Sequence, residues 1–372
     1  MCDRPGLTIL QRWLKVGVLT FLLLLLSFSD LAPAWAVNST RLPAGNAVTD
    51  GRALLRYSLP IDNSTIRDIQ TSLEDIANQL RGKRWKPISK DISKATKLLT
   101  DRQTAILQSI PQDRHPAALE TIATLQVTLA SLQTAVEAKD KEQVWEKRAD
   151  VLNLVGQLES NMVAGFPFEV PAEYSHLPQL KGRATVQMTT NKGDLTVVLD
   201  GYSAPVTAGN FVDLVQRGFY DGLPFIRAED SYVLQVGDPP GKDNGFIDPA
   251  TGKYRSVPLE ILAEGDPAPT YGITLEDAGR YKDQPVLPFS SYGAVALARP
   301  NEDANGGSSQ FFFFLFEAEL TPAGRNLLDG RYAVFGYTVE GKDVLDKLKA
   351  GDRIESAKVI EGAENLVQPQ AA

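Results

Sequence analysis

The sequence is poor in the residues that most often carry covalent or metal chemistry. Cysteine occurs once, as Cys2, and histidine twice, as His115 and His176. A single thiol excludes an internal disulfide and a cysteine zinc cluster. Two histidines leave almost no material for a histidine metal site or a Ser–His–Asp triad. Glycine-rich phosphate loops and dinucleotide fingerprints are missing too. No cofactor and no metal are therefore expected. Positive charge is in deficit: 38 Lys and Arg stand against 46 Asp and Glu, a formal charge of −8. Such a chain repels phosphate backbones, so nucleic acid is not an expected partner. What the chain does have is ordinary globular composition. Its 372 residues are 43% hydrophobic and 23% charged, enough for two cores without a staple.

The N-terminus is organised differently. Arg4, Arg12 and Lys15 precede an apolar run from Val16 to Leu26, and Ala34-Trp35-Ala36 places small residues at cleavage-site spacing. Residues 1–36 are expected to be an export signal, cleaved after Ala36. Removal takes Cys2 with it and moves the formal charge to −9. The competing reading is a retained anchor, but the apolar run falls short of the ~20 residues that span a bilayer. The mature chain is expected to be soluble in an extracytoplasmic compartment.

Residues 37–63 are polar and read as irregular, with an apolar stretch, Ala53-Leu54-Leu55-Arg56-Tyr57, suited to packing on a neighbouring domain. From 64 to 165 apolar residues recur at spacings of three and four, the period of amphipathic helices. Ile66, Ile69, Leu73, Ile76 and Leu80 form one stripe. Ile88, Ile92, Ala95, Leu99 and Ile106 form a second, and Ala118, Ile122, Leu125, Leu129, Leu132 and Val136 a third. Val144, Val151, Val155, Leu158 and Met162 form a fourth, interrupted by Arg148. Gly82, Pro111, Pro116 and Lys139-Asp140-Lys141 fall at the joins. Short joins favour antiparallel neighbours, so an up-and-down four-helix bundle is expected. No helix carries Glu-x-x-His, so a di-metal bundle is excluded. Residues 166–182, with Phe166-Pro167-Phe168-Glu169-Val170-Pro171, read as a stiff linker; a proline-rich ligand motif is the alternative.

After Pro178 the period changes to two. Ala184 to Met188 and Leu195 to Leu199 flank the turn signal Asn191-Lys192-Gly193-Asp194, a β-hairpin. Val206 to Gln216 reads as a helix, and a second is indicated around 342–349. Four further segments stand in order. They are Phe225-Ile226-Arg227 through Tyr232-Val233-Leu234-Gln235, then Tyr292 to Ala298, then Gly306-Gly307-Ser308-Ser309-Gln310-Phe311-Phe312, then Leu327-Leu328 through Tyr332 to Gly336. Together they resemble the cyclophilin type of peptidyl-prolyl cis-trans isomerase over residues 183–362, leaving 363–372 as a tail. The extra length at 239–291, the helical domain and the leader resemble the large multidomain cyclophilins of the thylakoid lumen in plants and cyanobacteria.

That resemblance implies a C-terminal eight-stranded antiparallel β-barrel with two capping helices behind the N-terminal helical bundle. It implies a proline pocket on the barrel's outer surface and a protein-folding activity on exported or lumenal clients. The lumen is favoured as location, with the periplasm as alternative. Arg227 matches the family's catalytic arginine, Gln235 the glutamine that orients substrate backbone and arginine, and Tyr232 a pocket phenylalanine. Val233, Phe312, Leu328 and Phe335 match the apolar wall. Gln310 and Ala298 match residues beside the peptide groove, and Tyr332 replaces a pocket histidine. Read without its motif, Arg227 is a surface ion-pair partner for Glu229 or Asp230.

Several positions depart from the pattern. Ile226 replaces the histidine beside the arginine, Arg299 an asparagine, and Leu327 the aromatic tied to cyclosporin binding. Reduced activity and poor cyclosporin binding are the expectations. Two functions follow: an isomerase on proline-containing clients, or a weakly catalytic chaperone that holds such segments. Photosystem subunits are among the expected clients, reached by a soluble protein peripheral to a membrane complex. A third reading has the bundle or residues 239–291 covering the pocket.

Overall fold

The computed structural model describes residues 48–229, 231–316 and 326–369, all within one compact unit, Asn38–Ala372. The expected export signal lies outside the described residues. No described helix is long and apolar enough to cross a membrane.

Eight α-helices occur among the described residues. The first, α1 (Gly51–Ser58), corrects the expectation of irregular chain at 37–63. Asp50 starts it by accepting the Arg52 N–H at 2.9 Å, an N-cap that satisfies one orphan donor. The bundle follows: α2 (Ser64–Arg81), α3 (Trp85–Asp101), the short α4 (Gln103–Gln108), α5 (His115–Glu137) and α6 (Lys141–Met162). Asn63 and Asp140 cap α2 and α6 through the N–H groups of Ile66 and Gln143. Helix α2 packs on α3 and α6, α3 on α5, and α5 on α6, which closes a four-helix ring. Every stripe residue named above is buried in one continuous core. The second stripe is broken at Arg102, so Ile106 enters the core from α4. Arg148, the odd residue in the fourth stripe, is buried as an ion. It pairs with Glu74 at 2.7 Å and donates to the Leu73 carbonyl.

The second half is built on eight antiparallel strands. In chain order they are β2 (Arg183–Thr190), β3 (Gly193–Asp200), β4 (Arg227–Glu229), β5 (Val233–Val236), β10 (Ala294–Leu297), β11 (Phe311–Phe314), β12 (Val334–Glu340) and β13 (Ile354–Glu361). Their spatial order is β13-β2-β3-β12-β10-β11-β5-β4. The sheet curls until its edges meet. Residues 222–225, just before β4, exchange backbone hydrogen bonds with residues 351–354, which lead into β13 and include its first residue. Helices α7 (Pro205–Gln216) and α8 (Lys342–Leu345) pack on this barrel; α8 is one turn shorter than the sequence indicates. Val186, Val197, Phe211, Leu234, Phe311 and Phe313 are among the residues filling the interior.

The linker is not a free spacer. Its end forms β1 (Gln179–Leu180), which pairs with β14 (Leu366–Val367) from the expected tail. Gly209 permits this close approach, since a Cβ there would lie 2.5 Å from the Pro178 carbonyl oxygen. The insertion at 239–291 carries two small ribbons, β6–β7 (Ile247–Asp248 with Lys253–Tyr254) and β8–β9 (Glu260–Ile261 with Thr270–Tyr271). Glu260 anchors the second ribbon under α7. Its carboxylate accepts the N–H groups of Val206 and Thr207 at 3.2 and 2.9 Å, and burial pushes its pKa up to about 7.

Helix α1 joins the two halves. Arg56 bonds Glu74 of the bundle, while Ser58 and the Leu55 carbonyl bond the Asp200–Arg183 pair of the barrel. Gly51 lets α1 lie against β12, because a Cβ there would sit 2.8 Å from Cβ of Tyr337.

Candidate functional site

Strand register alone assembles the site. Side chains alternate between the two faces of a strand, so residues paired across successive strands form rows. Arg227 pairs with Gln235, Gln235 with Phe312, Phe312 with Ala296, and Ala296 with Val334. These five residues make one row on the outer face. The next row on that face is Glu229, Val233, Phe314, Ala294 and Tyr337. The row between them, with Leu234, Phe313 and Val295, points into the barrel core.

The structure thus brings Arg227, Gln235 and Phe312 together at one end of the outer face. Phe312 is only 6% exposed. Tyr332 meets it edge-on at 5.5 Å between ring centroids, and Ala298 and Leu328 pack into the same cluster. Val233 is buried there too, and the half-exposed Tyr232 approaches Phe314 at 6.1 Å. Tyr232 is placed by a turn closed from its N–H to the Glu229 carbonyl, with Ser231 in the left-handed region at φ 59°. Leu327 projects away and is 88% exposed.

Phe335 is a correction. A register shift between Val295 and Ala296 turns it inward, where its ring lies 5.2 Å from Phe211 in the barrel core. Val334 takes the outer position. Bulges of this kind reverse which face a side chain occupies.

The polar groups form two separate sets. Gln235 donates through Nε2 to Oε1 of Gln310 at 2.7 Å. Gln310 in turn donates to Asp238 and to the Asn244 carbonyl, at 2.8 and 2.9 Å. Arg227 instead holds Glu229, through Nε at 2.7 Å and Nη2 at 2.6 Å. Arg299 lies 5.1 Å over the Tyr332 ring and donates to the carbonyls of Arg331, Pro300 and Asn301. It works as a clamp on the loop beside Ala298.

The third reading named residues 239–291 as a cover for the pocket but singled out no side chain. Phe289 of the insertion stacks parallel on Phe312, with centroids 6.0 Å apart and planes 4° apart. Its backbone N–H is fixed by Asp329 at 2.8 Å, and the preceding Pro288 carbonyl accepts the Tyr337 hydroxyl at 2.8 Å. Leu287, and Leu54 and Leu55 of α1, join the same cluster. Within the insertion the run Pro285-Val286-Leu287-Pro288-Phe289 carries no pattern that marks Phe289 as the stacking ring.

An arginine beside an apolar wall can bind a developing lone pair while holding a ring, without any nucleophile. Comparison with known proteins places this arrangement in a family. Residues 185–365 match the model of cyclophilin type peptidyl-prolyl cis-trans isomerases, and residues 50–163 match the CYP38-like, PsbQ-like domain. A putative thylakoid lumen peptidyl-prolyl cis-trans isomerase of Synechocystis is 56% identical over 96% of this chain and 96% of its own length. The chloroplastic isomerase CYP38 of Arabidopsis thaliana is 45% identical, over 88% of this chain and 77% of its own. CYP37 of the same plant is 35% identical over 91% and 75%. The chain belongs to the cyclophilin-type peptidyl-prolyl cis-trans isomerases, in the group that carries a PsbQ-like helical domain before the barrel.

Proposed function

We propose that the chain catalyses cis–trans isomerisation of prolyl peptide bonds in proteins of the thylakoid lumen, at the row formed by Arg227, Gln235 and Phe312. The observation that carries this reading is the pairing that sets a cationic donor, a polar amide and an apolar wall on three adjacent strands. Rotation about the prolyl bond is opposed by amide resonance, with a barrier of roughly 18–20 kcal/mol. At the twisted geometry the nitrogen becomes pyramidal and gains a lone pair. A guanidinium directed at that lone pair binds the transition state better than either planar isomer. Arg227 has that role, Gln235 orients the client backbone, and Phe312 with Val233, Leu328 and Tyr332 holds the proline ring. No covalent bond forms or breaks.

A second reading, a client-binding assembly factor with slow turnover, is favoured by one specific observation: Phe289 already lies on Phe312. A client proline and Phe289 compete for the same ring face. Photosystem subunits with exposed proline segments are the clients this reading names. Leu327 offers no indole donor, so cyclosporin should bind poorly under either reading.

The test is NMR exchange spectroscopy of a short Ala-Pro peptide with the chain from Asn38 onward. An Arg227→Ala variant should lose about 100-fold in exchange rate. An unchanged rate in that variant removes Arg227 from the mechanism. Peptide binding without exchange in either protein favours the second reading.

A further inference from the structure

Arg227 and Gln235 face each other across β4 and β5, yet the Arg227 guanidinium turns along its own strand to Glu229. Both Nε and Nη2 reach the same oxygen, Oε1 of Glu229. Glu229 lies in the neighbouring row, opposite Val233. The ion pair therefore draws the cation away from the row that holds Gln235 and Phe312. Both side chains are about half exposed, at 50% and 47%, so water and a client can reach them. The Gln235 amide is itself engaged, its Nε2 donating to Oε1 of Gln310 at 2.7 Å.

We propose that Glu229 is a positioning residue that restrains the Arg227 guanidinium and slows prolyl isomerisation in the resting protein. This rests on the role given to Arg227 above. The restraint has two physical parts. A carboxylate in hydrogen-bond contact lowers the positive potential that the guanidinium presents to a prolyl nitrogen. It also occupies two of the donors, which must be released before they can face a client. Exposed pairs of this type are weak, so the restraint amounts to about a two- to fivefold effect on rate. Salt screens such pairs, so the restraint weakens as ionic strength rises.

The experiment measures kcat/KM on an uncharged Ala-Pro peptide for wild type, Glu229→Gln, Glu229→Ala and Arg227→Ala, at low and high salt. Both Glu229 variants are expected to run about two- to fivefold faster than wild type at low salt. Wild type should speed up toward them at high salt, while the variants stay flat. The Arg227 Nε–H resonance should shift in Glu229→Gln, which a remote structural effect would not produce. Glu229 variants equal to or slower than wild type at low salt, with Arg227→Ala inactive, would overturn the restraint and leave the site reading intact. An Arg227→Ala variant as fast as wild type would overturn both.

Discussion

Phe311 and Phe313 share a strand with Phe312 and Phe314, and all four are buried, but by different means. The inner pair is enclosed when the sheet curls and α7 docks; Phe311 meets Phe211 edge-on at 5.0 Å. The outer pair is covered by segments that come from elsewhere in the chain, Leu54 and Leu55 of α1 and Leu287 and Phe289 of the insertion. Low exposure on the inner face records what the barrel needs in order to exist. On the outer face it records a cover, which a client would have to replace under the function proposed above.

The sharpest way to break this comparison is to remove one ring from each face. Phe313→Ala leaves a cavity that nothing can fill, and should cost about 3–5 kcal/mol in chemical denaturation. Phe289 is just as buried, at 2% exposed, but it sits in a loop whose neighbours can close over the gap, so Phe289→Ala should cost less, about 2–3 kcal/mol. The same variant should bind a prolyl peptide several-fold more tightly by calorimetry. Equal stability losses with unchanged peptide affinity would mean that both faces are core.

A smaller effect compares the bundle with the barrel. Glu159 in α6, paired with Arg67 at 3.1 Å, and Glu260 beneath α7 are both fully buried, and burial pushes each pKa up to about 7. The unfolded values lie near 4.5. Between these limits the folded chain holds protons that the unfolded chain has lost, so stability rises as pH falls through about 7 and is lost as pH rises. The carboxylates held below their usual range, Asp343 by Lys347 and Asp352 by Asn191, act in the opposite sense and only in more acid solution. The melting temperature at pH 6 should exceed that at pH 8 by about 2 °C. Glu159→Gln combined with Glu260→Gln should flatten the difference; a steeper dependence in the double variant would place the titration elsewhere.

The bundle was legible because its stripes repeat over long helices, and Ile66 through Met162 reach the core as the period dictates. Helix α1 was not. Eight residues give too little periodicity, and Arg56 at its centre is buried only because Glu74 lies across from it. In the barrel, the row through Arg227, Gln235 and Phe312 could be read from motif order. Phe335 could not, since one bulge reverses its face without leaving a local sequence mark. Phe289 was illegible for another reason. It lies in a loop, and no periodic pattern announces which strand a loop ring will stack on.

The pairing of β1 with β14 brings the two ends of the barrel domain side by side, with Leu180 opposite Leu366. Entry and exit therefore share one doorway. A fragment cut at Arg183 would leave β14 without its mate and empty the buried place of Leu180. A circular permutant that splices 179 to 367 through a short connector, and opens the chain at an exposed turn such as 191–192, should keep the same barrel. The doorway also means that cargo fused at either end would emerge from one spot on the surface.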